Sequence, residues 1–318
     1  MSGHPLNIGI IGPAGFTGSY LCLELINRGH TVIGISRNPH TLGQHERYLA
    51  RAADVNSLSI ESLAQTFKDV DVLINAYGPH SAGHEALKYM PFLEVTRKII
   101  LAARHANVGY FVMVGGCGSL YMPGIGFQSV LENKPWWISY RRAIADSEAH
   151  TSYMEERLGP MGSALRAYRN ARMEENRGHG SAKSREVIDS YEQAVAKNDD
   201  ALVFVTACRT TFMFFDGNTS FRWTFVSPSA LYRPGKRTGR YQVWYDRLPV
   251  RGDANDPTNL DGRLLGISAA DLAVAIADEV EKPTKVGRHW SASGDLSDDT
   301  PTASYVTLSR VSTQNSHI

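Results

Sequence analysis

The sequence predicts an α/β fold: a doubly wound parallel sheet with a large, mainly helical insertion after the fifth strand. Three observations support this. Short β-rich runs alternate with helical stretches up to about residue 118, a pattern typical of a parallel sheet with helices on both faces. A glycine-rich turn joins the first run to the first helical stretch. The strand pattern then returns after residue 220, beyond a segment rich in charged and aromatic residues.

Four apolar runs predict strands in the first part of the sheet: "NIGIIG", "HTVIGIS", "DVLINAYG" and "GYFVMVGG". Between them, "GSYLCLELINRG" and "PFLEVTRKIILAARHANV" carry apolar residues at helical spacing, and each ends at a Gly or Asn that can stop a helix. We therefore expect these two stretches to be crossover helices.

Residues 121–220 predict a helical insertion that covers a substrate pocket. Within it, "VFVTACRTTFMFF" repeats apolar residues at helical spacing and predicts a buried helix. Three arginines, Arg166, Arg169 and Arg172, stand close in sequence to Glu174 and Glu175. They predict one solvated helix with internal ion pairs, although arginines and aromatic residues here could also receive a flat, oxygenated substrate.

The sheet resumes with "FRWTFVSPS", followed by the turn-rich stretch "YRPGKRTGRYQVWYDR". A helix over "SAADLAVAIADEVEKP" has Ser268 as its cap and Pro283 after its end, and "RHWSASG" predicts a last strand. We assign residues 1–120 and 221–294 to one core. Residues 295–318 are polar and rich in Ser and Thr, and are expected to form a flexible tail.

The composition favours a small-molecule partner. The 318 residues are 42% apolar and carry a net charge of +1, without the one-signed face that nucleic acid or anionic lipid requires. Three cysteines lack metal-ligand spacing, and no apolar window reaches the length of a membrane span. We expect a cytoplasmic protein without a metal, either monomeric or a homodimer. The C-terminal "SHI" gives a peroxisomal address as the alternative location.

The first turn has the glycine spacing of a dinucleotide site. The apolar strand runs through Ile11, so the register is Gly12, Gly15 and Gly18. Gly12 permits the tight reversal, Gly15 lets backbone approach a pyrophosphate, and Gly18 lets helix and strand pack closely. Free N–H groups of the helix that starts near Phe16 would bind the phosphates. A glycine-rich turn without a ligand is the alternative, but its place between strand and helix favours a dinucleotide.

The end of the second strand selects between the two nicotinamide cofactors. An NAD-preferring protein carries Asp or Glu there, whereas this chain has "SRNP". Arg37 offers a planar, permanently charged fork that suits a 2′-phosphate. The sequence therefore predicts NADPH, with a solvated surface arginine as the alternative reading of Arg37.

Several motifs appear in the order seen in atypical short-chain dehydrogenases: "IGPAGFTG", "SRNP", "LINAYG", "VMVGGCGSL", "WTFVSP" and "ISAADLAVAIADE". Over residues 7–120 and 221–292 the chain resembles an NmrA-like or NAD(P)H-binding member of that family. The resemblance implies a Rossmann core that binds NADPH or NADP. It implies cofactor contacts at Gly12, Gly15, Phe16, Thr17 and Gly18 (pyrophosphate), Arg37 (2′-phosphate), Asp54 and Val55 (adenine), Ala76 and Gly78 (below the cofactor), and Gly115, Gly116 and Pro228 (nicotinamide).

The catalytic pair of that family is absent from the sequence. Standard members use a Tyr followed four residues later by Lys on one helical face. Here only Tyr232 has Lys at that spacing, Lys236, and the intervening "RPG" cannot be helical. The remaining candidates are Ser119, as a hydrogen-bond donor to substrate or a loop cap, Tyr140, as a proton donor or a packed aromatic, and His80 with His84, as an acid or base or plain loop histidines.

These features predict an NADPH-dependent oxidoreductase that acts on a small organic carbonyl, enone or quinone. A quinone or enone needs less help from a protein acid than a ketone does, which fits the missing pair. The alternative is a non-redox use of the fold, as an isomerase, cyclase or dehydratase, or as an NADP(H)-sensing regulator.

Overall fold

The computed structural model of the protein describes residues 4–78, 89–159, 162–197, 206–207, 209–252 and 259–308. Its strands are β1 (Asn7–Ile11), β2 (Thr31–Ser36), β3 (Tyr48–Ala52), β4 (Val72–Asn75), β5 (Tyr110–Val114), β6 (Trp223–Val226), β7 (Leu231–Arg233), β8 (Tyr241–Tyr245), β9 (Gly266–Ser268) and β10 (Arg288–Gly294). Its helices are α1 (Phe16–Asn27), α2 (Ile60–Thr66), α3 (Tyr89–His105), α4 (Lys134–Asp146), α5 (Glu148–Leu158), α6 (Gly162–Asn176), α7 (Ala182–Ala196) and α8 (Ala269–Glu281).

The strands form one sheet in the order β3-β2-β1-β4-β5-β6-β10-β9-β7, with β8 also paired to β10. The segment from β3 through β6 to β10 is parallel, whereas β8 and β9 run antiparallel to β10. This confirms the predicted doubly wound sheet. The direction of winding reverses between β1 and β4, and the crevice at such a switch point is where open α/β folds bind ligands.

Helices cover both faces of the sheet, as the alternating sequence pattern predicts. On one face α1 and α8 pack through residues such as Leu21, Leu25 and Ile276. On the other face α2 and α3 pack through residues such as Leu63 and Ile99. Both predicted crossover helices are confirmed as α1 and α3. The side chain of Ser268 caps α8, accepting a hydrogen bond from the backbone N–H of Asp271 at 3.0 Å.

Two predicted elements need correction. The turn-rich stretch after β6 contains β7 and β8, because β10 and β9 supply backbone partners that the local sequence does not reveal. The predicted buried helix over "VFVTACRTTFMFF" is helical at 206–207 and 209–211 and then tightens into a 3-10 turn, Phe212–Phe214. Thr211, Phe212 and Phe215 are buried as predicted, while Phe204 and Cys208 lie outside the described residues.

The insertion after β5 is mainly helical. Its helices α4 to α7 share a small core that includes Ile144, Leu165 and Tyr168. A second cluster, which includes Leu120 and Trp136, packs this unit against segments that follow β5 and β6, at the carboxyl edge of the sheet. The insertion therefore lies beside the switch-point crevice.

The predicted internal ion pairs of α6 are wrong. Arg166 pairs with Glu148 at 2.7 Å and Glu155 at 2.5 Å, Arg169 with Glu148 at 2.9 Å, and Arg172 with Asp146 at 2.8 Å. These carboxylates belong to α4 and α5, so the ion pairs join helices rather than stabilise α6 alone. Packing between helices brings the carboxylates closer than Glu174 and Glu175 are.

The described part of the C-terminal segment, residues 295–308, lies along the domain. Asp299 accepts hydrogen bonds at the start of α5, and the backbone carbonyl of Ala303 accepts one from Tyr20 at 2.8 Å. Leu308 is buried against the α1 face.

Among the described residues, none of the helices is both long and apolar enough to cross a lipid bilayer. The described residues also contain no group of three or more His, Cys, Asp or Glu side chains that could bind a metal ion together.

Candidate cofactor and substrate site

The glycine turn leaves β1 and enters α1 as predicted. Gly12 has φ of +81°, a conformation that side-chain-bearing residues rarely adopt. A Cβ on Gly18 would lie 2.0 Å from the carbonyl oxygen of Gly12, so this close approach requires glycine. A Cβ on Gly15 would meet only that same oxygen, at 3.2 Å, and would otherwise face open space. The conformation of the turn therefore requires glycine at positions 12 and 18, whereas Gly15 leaves the backbone of the turn uncovered by a side chain.

The amino end of α1 fits an anionic ligand. Gly15 is its N-cap, none of the described side chains caps it, and its first turn holds no acidic residue. The first N–H groups of a helix have no partner within the helix, and the helix dipole places partial positive charge there. A pyrophosphate can satisfy these donors. Thr17, in the same turn, places its Oγ1 3.0 Å from the phenol oxygen of Tyr232.

Arg37 and Asp54 lie together beyond β2 and β3. Arg37 is exposed and makes no ion pair with any carboxylate of the described residues, although its charge is close enough to help lower the pKa of Asp54. The main cause of that lowering is a hydrogen bond from the backbone N–H of Asn56, at 3.0 Å. The Val55 side chain is buried in the core, so an adenine could contact this residue only through its backbone. The Arg37 guanidinium is thus available to a phosphate.

The other predicted cofactor positions follow β4, β5 and β6. The carbonyl oxygen of Ala76 lies 3.2 Å from where a Cβ on Gly12 would be, so the ends of β1 and β4 adjoin. Gly115 makes room for Phe225, whose ring would lie 2.2 Å from a Cβ there, and this explains the glycine without a ligand. Gly78 follows β4, Gly116 follows β5, and Pro228 is buried after β6. All share the carboxyl edge of the sheet.

The predicted catalytic residues occupy different surroundings. Ser119 is fully buried in the 3-10 turn after β5, and its carbonyl accepts a long hydrogen bond of 3.4 Å from Arg209. Tyr140 stacks on Trp136, with ring centroids 5.1 Å apart, and burial together with the nearby Cys117 raises its pKa to about 12. His80 and His84 lie outside the described residues.

Sequence reasoning missed a tyrosine on α5. Tyr153 packs its ring against Phe16 of the glycine turn, with centroids 4.9 Å apart, and its phenol oxygen accepts a hydrogen bond of 2.7 Å from Arg157. The two residues are four apart, on one helical face. Their spacing matches the Tyr-Lys pair of the resembled family, with Arg in place of Lys, and this is the signal that the sequence carries for them.

Tyr232 also packs against Phe16, with ring centroids 4.9 Å apart. It belongs to β7, so its spacing to Lys236 is not helical, as the sequence indicates. Burial raises the pKa of Tyr153 and of Tyr232. Both phenols are therefore protonated at neutral pH, next to the turn that would hold the cofactor.

An open parallel sheet whose first strand leads through a glycine turn into an uncapped helix is the architecture of a dinucleotide-binding Rossmann protein. The family model for NAD(P)H-binding proteins matches residues 12–156, which confirms the resemblance drawn from the motifs. This part of the chain is similar to NAD(P)H-binding domains. Cinnamoyl-CoA reductase 2 of Arabidopsis thaliana is 26% identical over 161 residues, covering 44% of this chain and 48% of the reductase. The chain thus spans about half the length of the curated relatives it matches.

Three solved structures share the fold. A candidate epimerase from Bacteroides thetaiotaomicron has a TM-score of 0.61 at 23% identity, covering 91% of this chain and 97% of that one. A candidate NADH-flavin reductase from Streptococcus pneumoniae has a TM-score of 0.58 at 16% identity, covering 91% and 100%. A short-chain dehydrogenase/reductase from Veillonella parvula, in complex with NADP, has a TM-score of 0.52 at 11% identity, covering 94% and 100%.

Proposed function

We propose that the protein is an NADPH-dependent reductase of a small planar carbonyl, enone or quinone. One observation carries the proposal: the glycine turn that enters an uncapped helix adjoins a phenol hydrogen-bonded by a guanidinium, where Phe16 meets Tyr153. The likeness to a cinnamoyl-CoA reductase supports reduction.

The chain divides the work of binding between two places. Amide N–H groups at the start of α1 would hold the pyrophosphate, and Arg37 the 2′-phosphate. When bound, NADPH supplies a hydride, and with one proton from the protein or solvent a quinone becomes a hydroquinone. The residues of this chain therefore have two tasks: to orient the acceptor and to deliver that proton.

Tyr153 suits the second task. Its burial raises its pKa and keeps the phenol protonated, while the guanidinium of Arg157, 2.7 Å away, would stabilise the phenolate that remains after proton transfer. This is the role that ammonium has in a Tyr-Lys pair. Tyr140 and Ser119 remain further candidates, since both belong to the segments that follow β5.

Cofactor preference tests the binding half of the proposal. By calorimetry we expect NADPH to bind more tightly than NADH, and Arg37→Ala to reduce that preference by about tenfold to hundredfold, the value of one lost charge-assisted contact. Equal affinities for NADPH and NADH in the unmodified protein would contradict the role of Arg37.

Turnover tests the chemical half. Absorbance of the reduced nicotinamide should fall when quinones, enones and ketones are offered with NADPH. We expect Tyr153→Phe to lower kcat for a ketone about a hundredfold, because a general acid is lost, and Arg157→Lys to preserve it. Tyr168→Phe, which removes the phenol of a Tyr with Arg four residues later on α6, is the matched control. Binding of NADPH without oxidation across the whole panel would overturn the reductase and favour an isomerase or a sensor.

A further inference from the structure

Arg141 differs from four arginines of the insertion that form ion pairs. Arg142, Arg166, Arg169 and Arg172 each face a carboxylate at 2.5 to 2.9 Å. Among the described residues, Arg141 has no ion pair with a carboxylate, and its buried Nε has no hydrogen-bond partner. A buried, unpaired donor on a charged group is costly, so its retention calls for an explanation.

The surroundings of Arg141 are flat and aromatic. Its guanidinium carbon lies 5.5 Å from the centroid of the Tyr140 ring, which is itself stacked on Trp136 at an interplanar angle of 6°. The positive charge of Arg141 also acts on Tyr191 of α7 and on His150 of α5. Burial and the charges of Arg233 and Arg141 lower the pKa of His150 to about 3, so this histidine is neutral and adds no competing cation.

Arg141 lies near the proposed reaction site. The Tyr140 phenol is close enough to Cys117, Tyr153 and Arg157 to interact with them electrostatically. Cys117 directly follows Gly116 at the end of β5, and Tyr153 contacts the glycine turn. The Tyr140 ring, and Arg141 beside it, therefore lie near both the end of β5, which is expected to border the nicotinamide, and Tyr153.

We propose that Arg141 is a specificity-determining residue that receives the anionic oxygen group of a planar aromatic substrate. The ring of the substrate would lie along the Tyr140–Trp136 stack, and its carboxylate or sulfonate would take the unpaired Nε–H and a neighbouring N–H of the guanidinium. Arginine suits this task because its planar fork donates two parallel hydrogen bonds to such groups. This inference rests on the proposed reductase function and names its substrate class.

Binding without chemistry is the first test. Naphthalene sulfonate and naphthalene methanol are flat probes that differ in charge and cannot accept a hydride. By calorimetry on the NADP-loaded protein, we expect naphthalene sulfonate to bind more tightly than naphthalene methanol. Arg141→Gln should weaken the affinity for the sulfonate about tenfold to hundredfold and leave the affinity for the methanol unchanged. Arg141→Lys keeps the charge but loses the planar fork, so its affinity for the sulfonate should lie between those of the unmodified protein and Arg141→Gln. Arg185→Gln, which removes an exposed charge from the same insertion, is the control and should bind as the unmodified protein does.

Turnover then separates the two proposals. Naphthoquinone sulfonate should show a raised KM in Arg141→Gln, whereas uncharged naphthoquinone should not. If the sulfonate probe loses affinity in Arg141→Gln but the unmodified protein reduces no quinone, the anion site stands and the reductase proposal fails. If the unmodified protein binds both naphthalene probes equally, or Arg141→Gln and Arg141→Lys bind the sulfonate as tightly as it does, the assignment of Arg141 is overturned whatever the turnover shows.

Discussion

At the scale of single residues, two glycines of one turn are required for different reasons. A Cβ at Gly18 would lie 2.0 Å from the backbone carbonyl oxygen of Gly12, whereas a Cβ at Gly15 would lie 3.2 Å from that oxygen and meet nothing else within 4 Å. We expect Gly18→Ala to lower the free energy of unfolding by about 2 kcal/mol through overpacking. Gly15→Ala should keep that free energy and weaken NADPH binding at least about tenfold, because a methyl group separates amide from phosphate. Urea unfolding and calorimetry measure the two effects, and equal stabilities for both variants would contradict this division.

Residues whose role depends on local backbone were predictable from sequence, and those whose role depends on distant contacts were not. The glycine turn follows from strand, turn and helix signals within a dozen residues. Tyr153 becomes part of the candidate site only because it packs on Phe16. Arg141 stands out only because, among the described residues, the carboxylates of the insertion pair with other arginines. No spacing rule encodes either fact.

At the scale of elements, the start of α5 depends on the C-terminal segment. Asp299 accepts hydrogen bonds from Ser147 Oγ at 2.6 Å and from the backbone N–H groups of Glu148 and Ala149 at 2.8 and 3.0 Å. Since α5 carries Tyr153, this contact links residues 295–308 to the candidate site. The sequence indicates the helices of the insertion by their periodicity but not this cap, because cap and helix lie far apart in the chain.

Removing the cap should destabilise α5 in a pH-dependent way. Burial acts to raise the pKa of Asp299, but the hydrogen bonds outweigh it and hold the pKa below its usual value. Its stabilisation is therefore complete above about pH 4 and is lost as the pH falls through the lowered pKa. We expect Asp299→Ala to lower the unfolding free energy at neutral pH by about 1 kcal/mol and to remove that part of the acid dependence. Asp295→Ala, in the same segment, is the control; identical acid profiles for Asp299→Ala and the unmodified protein would contradict the cap.

At the scale of the whole molecule, one sheet is assembled from two stretches of chain with the insertion between them. The fold class was predictable because strands and helices alternate along the first stretch. The far edge was not, because β7 and β9 are three residues long and β8 pairs only through β10. Such strands depend on partners already in place rather than on their own sequence.

A buried carboxylate joins the two stretches. Glu279 of α8 accepts hydrogen bonds from the Tyr110 phenol of β5 at 2.7 Å and from Lys285 Nζ at 3.1 Å, and its side chain is fully buried. Although burial acts to raise the pKa of Glu279, the hydrogen bonds from Tyr110, Thr284 and Lys285 lower it. Its stabilisation is thus present above about pH 4.5 and is lost as the pH falls below that value.

Replacing Glu279 should therefore destabilise the whole domain. In Glu279→Gln an amide N–H₂ faces donors and the nearly buried Lys285 loses its counter-charge, so we expect a loss of about 3 kcal/mol in unfolding free energy at neutral pH. Glu281→Gln, on the same helix, removes a half-exposed partner of Arg28 and should cost no more than about 1 kcal/mol. Denaturant unfolding from neutral to acidic pH should show the unfolding free energies of Glu279→Gln and of the unmodified protein converging, as Glu279 becomes protonated in the unmodified protein. Equal stability of the two variants at neutral pH would mean that the buried network does not hold the two stretches together.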